Sequence, residues 1–302
     1  MIAKLNGIKT IIRSVRNSID FNYEQIMNDI NFSQKQGIDT VLFFSKQTLS
    51  HISSTAVKEL QKNYGSIIEY VPLNVKEALE RKISEQYLLG VTGEIGAGKS
   101  FVSKKLMEMQ FRYGDEDPIS NIDMDDIGRK ILTEYTEPLF VEAREKLIRK
   151  IGKRSLQEEC GKIDLQKMTN LMFLDAGVLS IFNEIMTEPI LFEFRRRLQG
   201  LKGIILVNSA LFAEAGLSYL TNNNILMVTA DKKERIKRLK KRGYNSAGIE
   251  ARLNVQLTWE AKYNRIHKEI ENTQHGEITI FDNTAPSPKE FKNLFNSLFV
   301  GE

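Results

Sequence analysis

Residues 90–100 read GVTGEIGAGKS, and this stretch decides the fold. Gly93, Gly98, Lys99 and Ser100 satisfy G-x-x-x-x-G-K-[ST], the pattern of a phosphate-binding loop. Glycines let main-chain N–H groups curl around an anion, and a helix that starts directly behind them adds its partial positive charge. Lys99 is placed to reach the outer phosphates of a nucleotide, and the Ser100 hydroxyl to ligate Mg2+. The flanks agree with this reading. An apolar run, QYLLGVT (86–92), precedes the loop, and Val102, Leu106 and Met109 recur behind it at the i, i+4 and i+7 positions of a helix. The expected ATP-binding residues of the loop are Gly93, Glu94, Ile95, Gly96, Ala97, Gly98, Lys99, Ser100 and Phe101.

Working outward, short β-branched runs at 10–15, 39–44, 86–92, 203–208, 225–230 and 278–282 alternate with helical stretches, the signature of an α/β fold. Asp20 is a candidate cap for a helix that runs to Gly37, Ser53 or Ser54 for one ending near Gly65, and Pro72 marks the turn before a third, from about Asn74 to Ser84. A chain of 302 residues is about twice the ~150 of an average domain, so two domains are expected. The boundary is placed in the charged helix end ERKISEQ (80–86), giving domains 1–85 and 86–302.

Composition narrows the function class. Hydrophobic residues make up 41% and charged residues 27%, an ordinary globular balance. No apolar run approaches the ~18 residues of a membrane span, and Lys4 and Lys9 interrupt the N-terminal stretch, so neither a membrane protein nor a secretory leader is expected. The single cysteine, Cys160, forms no internal disulfide, and His51, His267 and His275 are too scattered for a zinc site. A cytoplasmic location is expected. The net charge of +4 is uneven: residues 231–242 carry eight Lys or Arg against two acids, leaving the remaining chain at −2. One basic segment, rather than a broad basic face, argues against nucleic-acid binding. Asp231 with Glu234 reads as a capping box, so a helix should start there, with Arg235, Arg238 and Arg242 on one face and Ile236 and Leu239 on another.

GVTGEIGAGKS followed by NIDMDDIGR (121–129) resembles the opening of dephospho-CoA kinase, in which a Gly-rich loop is followed by I-D-A-D-x-x-A-R. Ile122, Asp123, Asp125 and Arg129 fall in register, and further matches run in order: GKIDLQKMTNLMF (161–173), ALFAEAGL (210–217), AGIEARLNVQLTWEAK (247–262) and ITIFDN (278–283). The resemblance implies a P-loop kinase with a three-layer parallel sheet and a helical lid, using ATP and Mg2+ to phosphorylate the ribose 3′-hydroxyl of dephospho-CoA. It makes Asp125 the catalytic carboxylate, acting with Lys99 and Arg242, and Asp125, Arg129 and Glu214 the acceptor site. Arg238 and Arg242 match the lid arginines that close over ATP, and Asn283 the adenine-side loop. Arg252, Gln256 and Lys262 match the lid helices. The acids of DMDD otherwise serve as helix caps, the reading preferred for Asp126.

Some positions depart from the family pattern. Asn208 stands where the family has an acid at a strand end, Ala210 for a proline, Leu165 for an arginine and Glu188 for a histidine, while Gly161, Asp164, Pro189 and Glu214 remain. Two alternatives follow from these losses: a nucleotide- or CoA-binding scaffold without turnover, and a kinase with a different small-molecule acceptor.

Residues 10–84 carry a second resemblance. IIRSVRNSIDFNYE (11–24) and SHISSTAVKELQKNYGSIIEYVPLNVKEALERKI (50–83) resemble the second half of bacterial phosphopantetheine adenylyltransferase, a Rossmann-like nucleotidyltransferase. It implies that Arg13 and Arg16 face phosphate and that Ser53, Ser54 and Thr55 open a helix toward nucleotide. No T-x-G-H or G-x-x-G-H occurs anywhere, and Ser14 replaces the glycine of R-G-L-R, so adenylyl transfer by this chain alone is not expected. A relic, a self-associating or docking module, and a half-enzyme completed by a partner chain remain open readings.

Overall fold

The computed structural model describes residues 5–35, 37–46, 52–113, 118–152, 156 and 162–300; Lys4, His51, Cys160 and Gly161 lie outside the described residues. The chain forms two compact units, residues 1–60 and 61–302. Among the described residues no helix is long and apolar enough to cross a membrane.

In the first unit, β1 (Thr10–Val15) and β2 (Asp39–Phe44) pair in parallel, joined by α1 (Ser18–Ser33). The cap of α1 is Asn17, which accepts the Asp20 N–H at 2.9 Å, rather than Asp20 itself. Asp20 instead binds the Arg16 guanidinium at 2.7 Å, and Glu24 binds Arg13 at 2.6 Å. The two arginines expected to face phosphate, Arg13 on β1 and Arg16 in the turn before α1, are thus occupied by carboxylates of α1. α2 (Ser54–Lys62) is capped by Ser53, whose Oγ accepts the Ala56 N–H at 3.1 Å. Both faces of the β1–β2 pair leave apolar side chains in water, Phe44 being 81% exposed and Ile12 68%. Parallel strands are ordinarily covered on both faces.

In the second unit, five parallel strands run in the order β4-β5-β3-β6-β7. They are β3 (Gln86–Gly93), β4 (Ile119–Asp123), β5 (Gly203–Asn208), β6 (Asn224–Thr229) and β7 (Glu277–Asp282). Side chains alternate between two cores. Leu88, Ile205, Val207, Ile225 and Met227 face one, with Ile127, Phe140, Phe194 and Ile266. Leu89, Val91, Leu206, Leu226 and Val228 face the other, with Val102, Leu106, Phe291 and Phe295. Helices therefore cover both faces, giving the expected three layers. The near-continuous apolar runs of β3 and β5 made them legible in sequence; β4, ISNID, was not expected because its polar residues interrupt the run.

This unit starts at Gln61, well before the boundary expected at residue 86. The reason is a buried polar bracket. In α3 (Leu73–Leu79), the Lys76 ammonium pairs with Glu80 at 2.7 Å and donates to Asn222 Oδ1 at 2.9 Å and the Leu220 carbonyl at 3.2 Å. Asn222 Nδ2 donates back to Glu80 at 2.6 Å. Beside it, Glu77 accepts from Asn224 at 3.0 Å and contacts the His275 ring at 2.8 Å, tying α3 to the starts of β6 and β7.

Candidate active site

The C-terminal ends of β3, β4, β5, β6 and β7 meet on one edge, where the chain leaves β3 for strands on either side; in open α/β sheets that crevice is where ligands bind. β3 ends at Gly93, and α4 (Lys99–Tyr113) begins directly after the loop. Gly93 has φ 145°, and a Cβ there would run into the Val228 carbonyl of β6. Gly98 has φ 97°, and its Cβ would strike the Asn283 amide. Both positions combine a left-handed backbone with close approach, so only glycine fits.

A basic helix, α9 (Lys232–Lys241), braces the loop from outside. The Arg235 Nε donates to the Ile95 carbonyl at 3.0 Å while its guanidinium pairs with Glu94 at 2.7 Å, both groups buried. Arg238 Nη1 donates to the carbonyls of Ala97 (2.9 Å) and Gly96 (3.3 Å), and Nη2 to those of Asn283 (2.6 Å) and Thr284 (3.3 Å). Asn283 Nδ2 donates to the Ala97 carbonyl at 2.7 Å. Gln256 Oε1 accepts the Ile95 N–H at 2.6 Å. Loop carbonyls are held outward by these donors, while the first N–H groups of α4, without intrahelical partners, remain for an anion. The expected capping box of α9 does not form: the Asp231 side chain makes no cap bond, and Glu234 pairs with Lys237 at 3.1 Å.

Lys99 Nζ donates to the Gly93 carbonyl at 3.2 Å. Burial pushes its pKa down; Asp125 and Asp123 pull it back up, and Lys262 and Arg242 add to the depression. Asp125 lies in the first turn of α5 (Met124–Thr133), whose cap is Asp123, accepting the N–H groups of Asp125 at 2.9 Å and Asp126 at 3.0 Å. Burial raises the Asp125 pKa, Asp123 raises it further, and Lys99, the Ala210 N–H and Lys262 lower it. Asp125 is nevertheless open to solvent, the combination expected of a carboxylate on the floor of a cleft. Lys99 thus lies within electrostatic reach of both Asp125 and Arg242.

Ser100 stands exposed beside Lys99 at the start of α4, and Phe101, half exposed, sets its ring edge-on to Phe291 at 6.0 Å. Glu214 pairs with Lys262 at 2.5 Å. Arg129 is bound instead by Asp126 and, at 2.8 Å, by Glu134. Asp126 serves this ion pair rather than a cap. Asn208 is buried, accepting from Ser103 at 3.1 Å and donating to Asn121. Asp164 caps α7 (Leu165–Leu174), accepting from Gln166 N at 2.9 Å, and Leu165 packs against the core. Arg252 stacks over the Tyr244 ring at 4.5 Å. Beside Asp125 lies a small cleft of about 60 Å³, lined by Met124, Phe182, Met186, Leu211 and Leu217 among others.

Sequence reasoning set Lys262 among peripheral lid residues; in the structure it is fully buried. It sits on α11 (Trp259–Thr273), one residue before Tyr263 and four before Ile266, within the apolar stripe Trp259, Tyr263, Ile266, Ile270. A lysine inside such a stripe was the available signal.

Comparison with known proteins gives the family and the fold. The family model described as dephospho-CoA kinase matches residues 87–277. A dephospho-CoA kinase from Carboxydothermus hydrogenoformans is 32% identical over 197 residues, covering 64% of this chain and 88% of that protein. A phosphopantetheine adenylyltransferase from Limosilactobacillus reuteri is 34% identical over 85 residues, 28% of this chain and 49% of that protein. The crystal structure of TT1252 from Thermus thermophilus shares the fold, with a TM-score of 0.51 at 20% identity over 72% of this chain and 97% of that one. With the family model spanning well over half of its length, the chain belongs to the dephospho-CoA kinase family.

Proposed function

We propose that this chain transfers the γ-phosphoryl group of ATP to the ribose 3′-hydroxyl of dephospho-CoA. The observation that carries this is that Lys99, at the start of the helix behind β3, and Asp125, at the start of the helix behind β4, stand on one sheet edge within electrostatic reach of each other. The loop N–H groups and Lys99 bind the outer phosphates. Arg242, exposed just past α9, meets the γ-phosphoryl oxygens as negative charge develops. Arg238 holds the loop and the 283–284 turn in shape. Asp125, its pKa raised, takes the proton of the attacking hydroxyl. Glu214 offers a buried Oε2 that has no partner among the described residues, an acceptor for a donor on the substrate.

Mg2+ fits the donors present. Among the described residues no group of three His, Cys, Asp or Glu is set to hold a metal, and Mg2+ is usually held by one or two protein oxygens plus substrate phosphates. Ser100 would supply the protein oxygen, and the ion would neutralise charge on the β- and γ-phosphates.

Residues 1–85 read as half of a phosphopantetheine adenylyltransferase fused to this kinase, a unit that by itself transfers no adenylate. Arg13 and Arg16 are already paired, and the T-x-G-H element is not in the sequence. Its exposed strands suit a partner chain or a second copy of this one. Pyrophosphate release from ATP and phosphopantetheine by the purified chain would overturn this part.

The test of the kinase reading is ADP formation with dephospho-CoA, with AMP-type acceptors and with none. The reading requires turnover dependent on dephospho-CoA that Lys99→Ala and Asp125→Asn both abolish. Nucleotide binding without turnover would favour a scaffold, and a better acceptor a different kinase.

A further inference from the structure

Among the described residues, Lys262 is the largest fully buried charged side chain of the kinase unit, 0% exposed. Its helix is fixed in place: Thr258 caps α11 by accepting the Ala261 N–H at 3.3 Å, and Ile266, one turn on, is locked in the core. The ammonium donates to the Ala210 carbonyl at 2.6 Å and to Glu214 Oε1 at 2.5 Å. The chain behind β5 lines the same cleft as Asp125 through Ser209, Leu211, Ala215 and Leu217, and β5 pairs with β4 at Asn208 and Asp123, two residues before Asp125. The loop that Lys262 holds at the Ala210 carbonyl and at Glu214 is therefore one wall of the cleft that Asp125 borders. Stability does not require a charge here, since a buried ion pair replaced by apolar groups of similar volume is often as stable or more so.

We infer that Lys262 is a positioning residue for phosphoryl transfer, holding the 210–214 loop so that the cleft wall beside Asp125 sets the place of the acceptor. This rests on the kinase reading above. The charged groups around Lys262 are Glu214, Glu94 and Asp125; those around Asp125 are Lys99, Asp123 and Lys262. Among the described residues no hydrogen bond joins Lys262 to the 93–100 loop, which feels it only through the longer-range charges of Glu94 and Lys99, so its removal should weigh on the acceptor far more than on ATP.

The test uses the full chain and three variants: Lys262→Met, Glu214→Gln and the double variant. Lys262→Met should lower kcat/KM for dephospho-CoA about 100-fold, the scale of loss when a reacting group is misplaced by about 1 Å. The KM for ATP and the Kd for a fluorescent ATP analogue should stay within about threefold, as expected of a group acting on the acceptor side. Lys262→Met strands the Glu214 charge and lowers Tm. The double variant removes that charge, so Tm should recover while kcat/KM for dephospho-CoA stays at least about tenfold below Glu214→Gln alone. If Lys262→Met fails to fold, the double variant set against Glu214→Gln gives the same comparison. Three results overturn the inference: acceptor kcat/KM within threefold of the parent, activity that recovers together with Tm in the double variant, or an equal loss in ATP affinity. A wild-type chain with no dephospho-CoA turnover would instead overturn the kinase reading itself.

Discussion

Replacing Lys76 with alanine tests whether residues 61–85 belong to the kinase unit. The Lys76 and Glu80 side chains are only 9% and 8% exposed, 2.7 Å apart, and both are anchored on Asn222. Lys76→Ala leaves the Glu80 carboxylate buried with the Asn222 amide as its remaining polar contact, and frees the Leu220 carbonyl. Removing one partner of a buried pair costs about 3–5 kcal/mol. At about 2–4 °C per kcal/mol for a unit of this size, Tm should fall by roughly 6–20 °C. Lys76→Met/Glu80→Gln removes both charges and keeps the packing volume, so most of the loss should return. Thermal unfolding of the full chain, followed by circular dichroism and by ATP-analogue binding, measures both. If Lys76→Ala moves the nucleotide-binding transition by less than 2 °C, the bracket does not hold the kinase unit. A double variant as unstable as the single would show that packing, not charge, was lost.

Two further perturbations address the site. Gly98→Ala forces a Cβ onto the Asn283 amide in a left-handed backbone; binding of an ATP analogue should weaken at least tenfold while the far-ultraviolet spectrum is kept, and unchanged affinity would contradict the cradle geometry. Because burial raises the Asp125 pKa, the acidic limb of kcat/KM for the acceptor should lie above the ordinary carboxylate value of about 4. The sign for stability follows: the stabilisation tied to protonated Asp125 is present below its unfolded pKa and lost as pH rises through the folded value. The Tm gap between Asp125→Asn and wild type should therefore narrow on acidification, and a gap that widens would contradict the assignment.

Much of this was legible before the fold was seen, for physical reasons. The loop at 93–100 is dictated by backbone chemistry that few residue types satisfy, and the buried strands β3 and β5 are continuous apolar runs. Asp125 stood in register with a family motif, and the cradle end of the α9 arginine face was readable from its spacing. What escaped was polar burial. Lys76 and Glu80 at i, i+4 look like a solvated helix pair, so the boundary was set at 86 when the unit begins at 61. Lys262 reads as a lid residue by its match to the family yet is fully buried, and Arg129, expected in the acceptor site, is held by Asp126 and Glu134. No local pattern tells which charged side chain will find buried partners far along the chain.

Phosphorus NMR of dephospho-CoA incubated with ATP and this chain is the most direct trial of the Lys99–Asp125 centre. A new 3′-phosphomonoester resonance should grow with the wild type and be missing with Asp125→Asn, even though that variant still binds the nucleotide. A product that accumulates at the wild-type rate with Asp125→Asn, or phosphate appearing at another position, would contradict it.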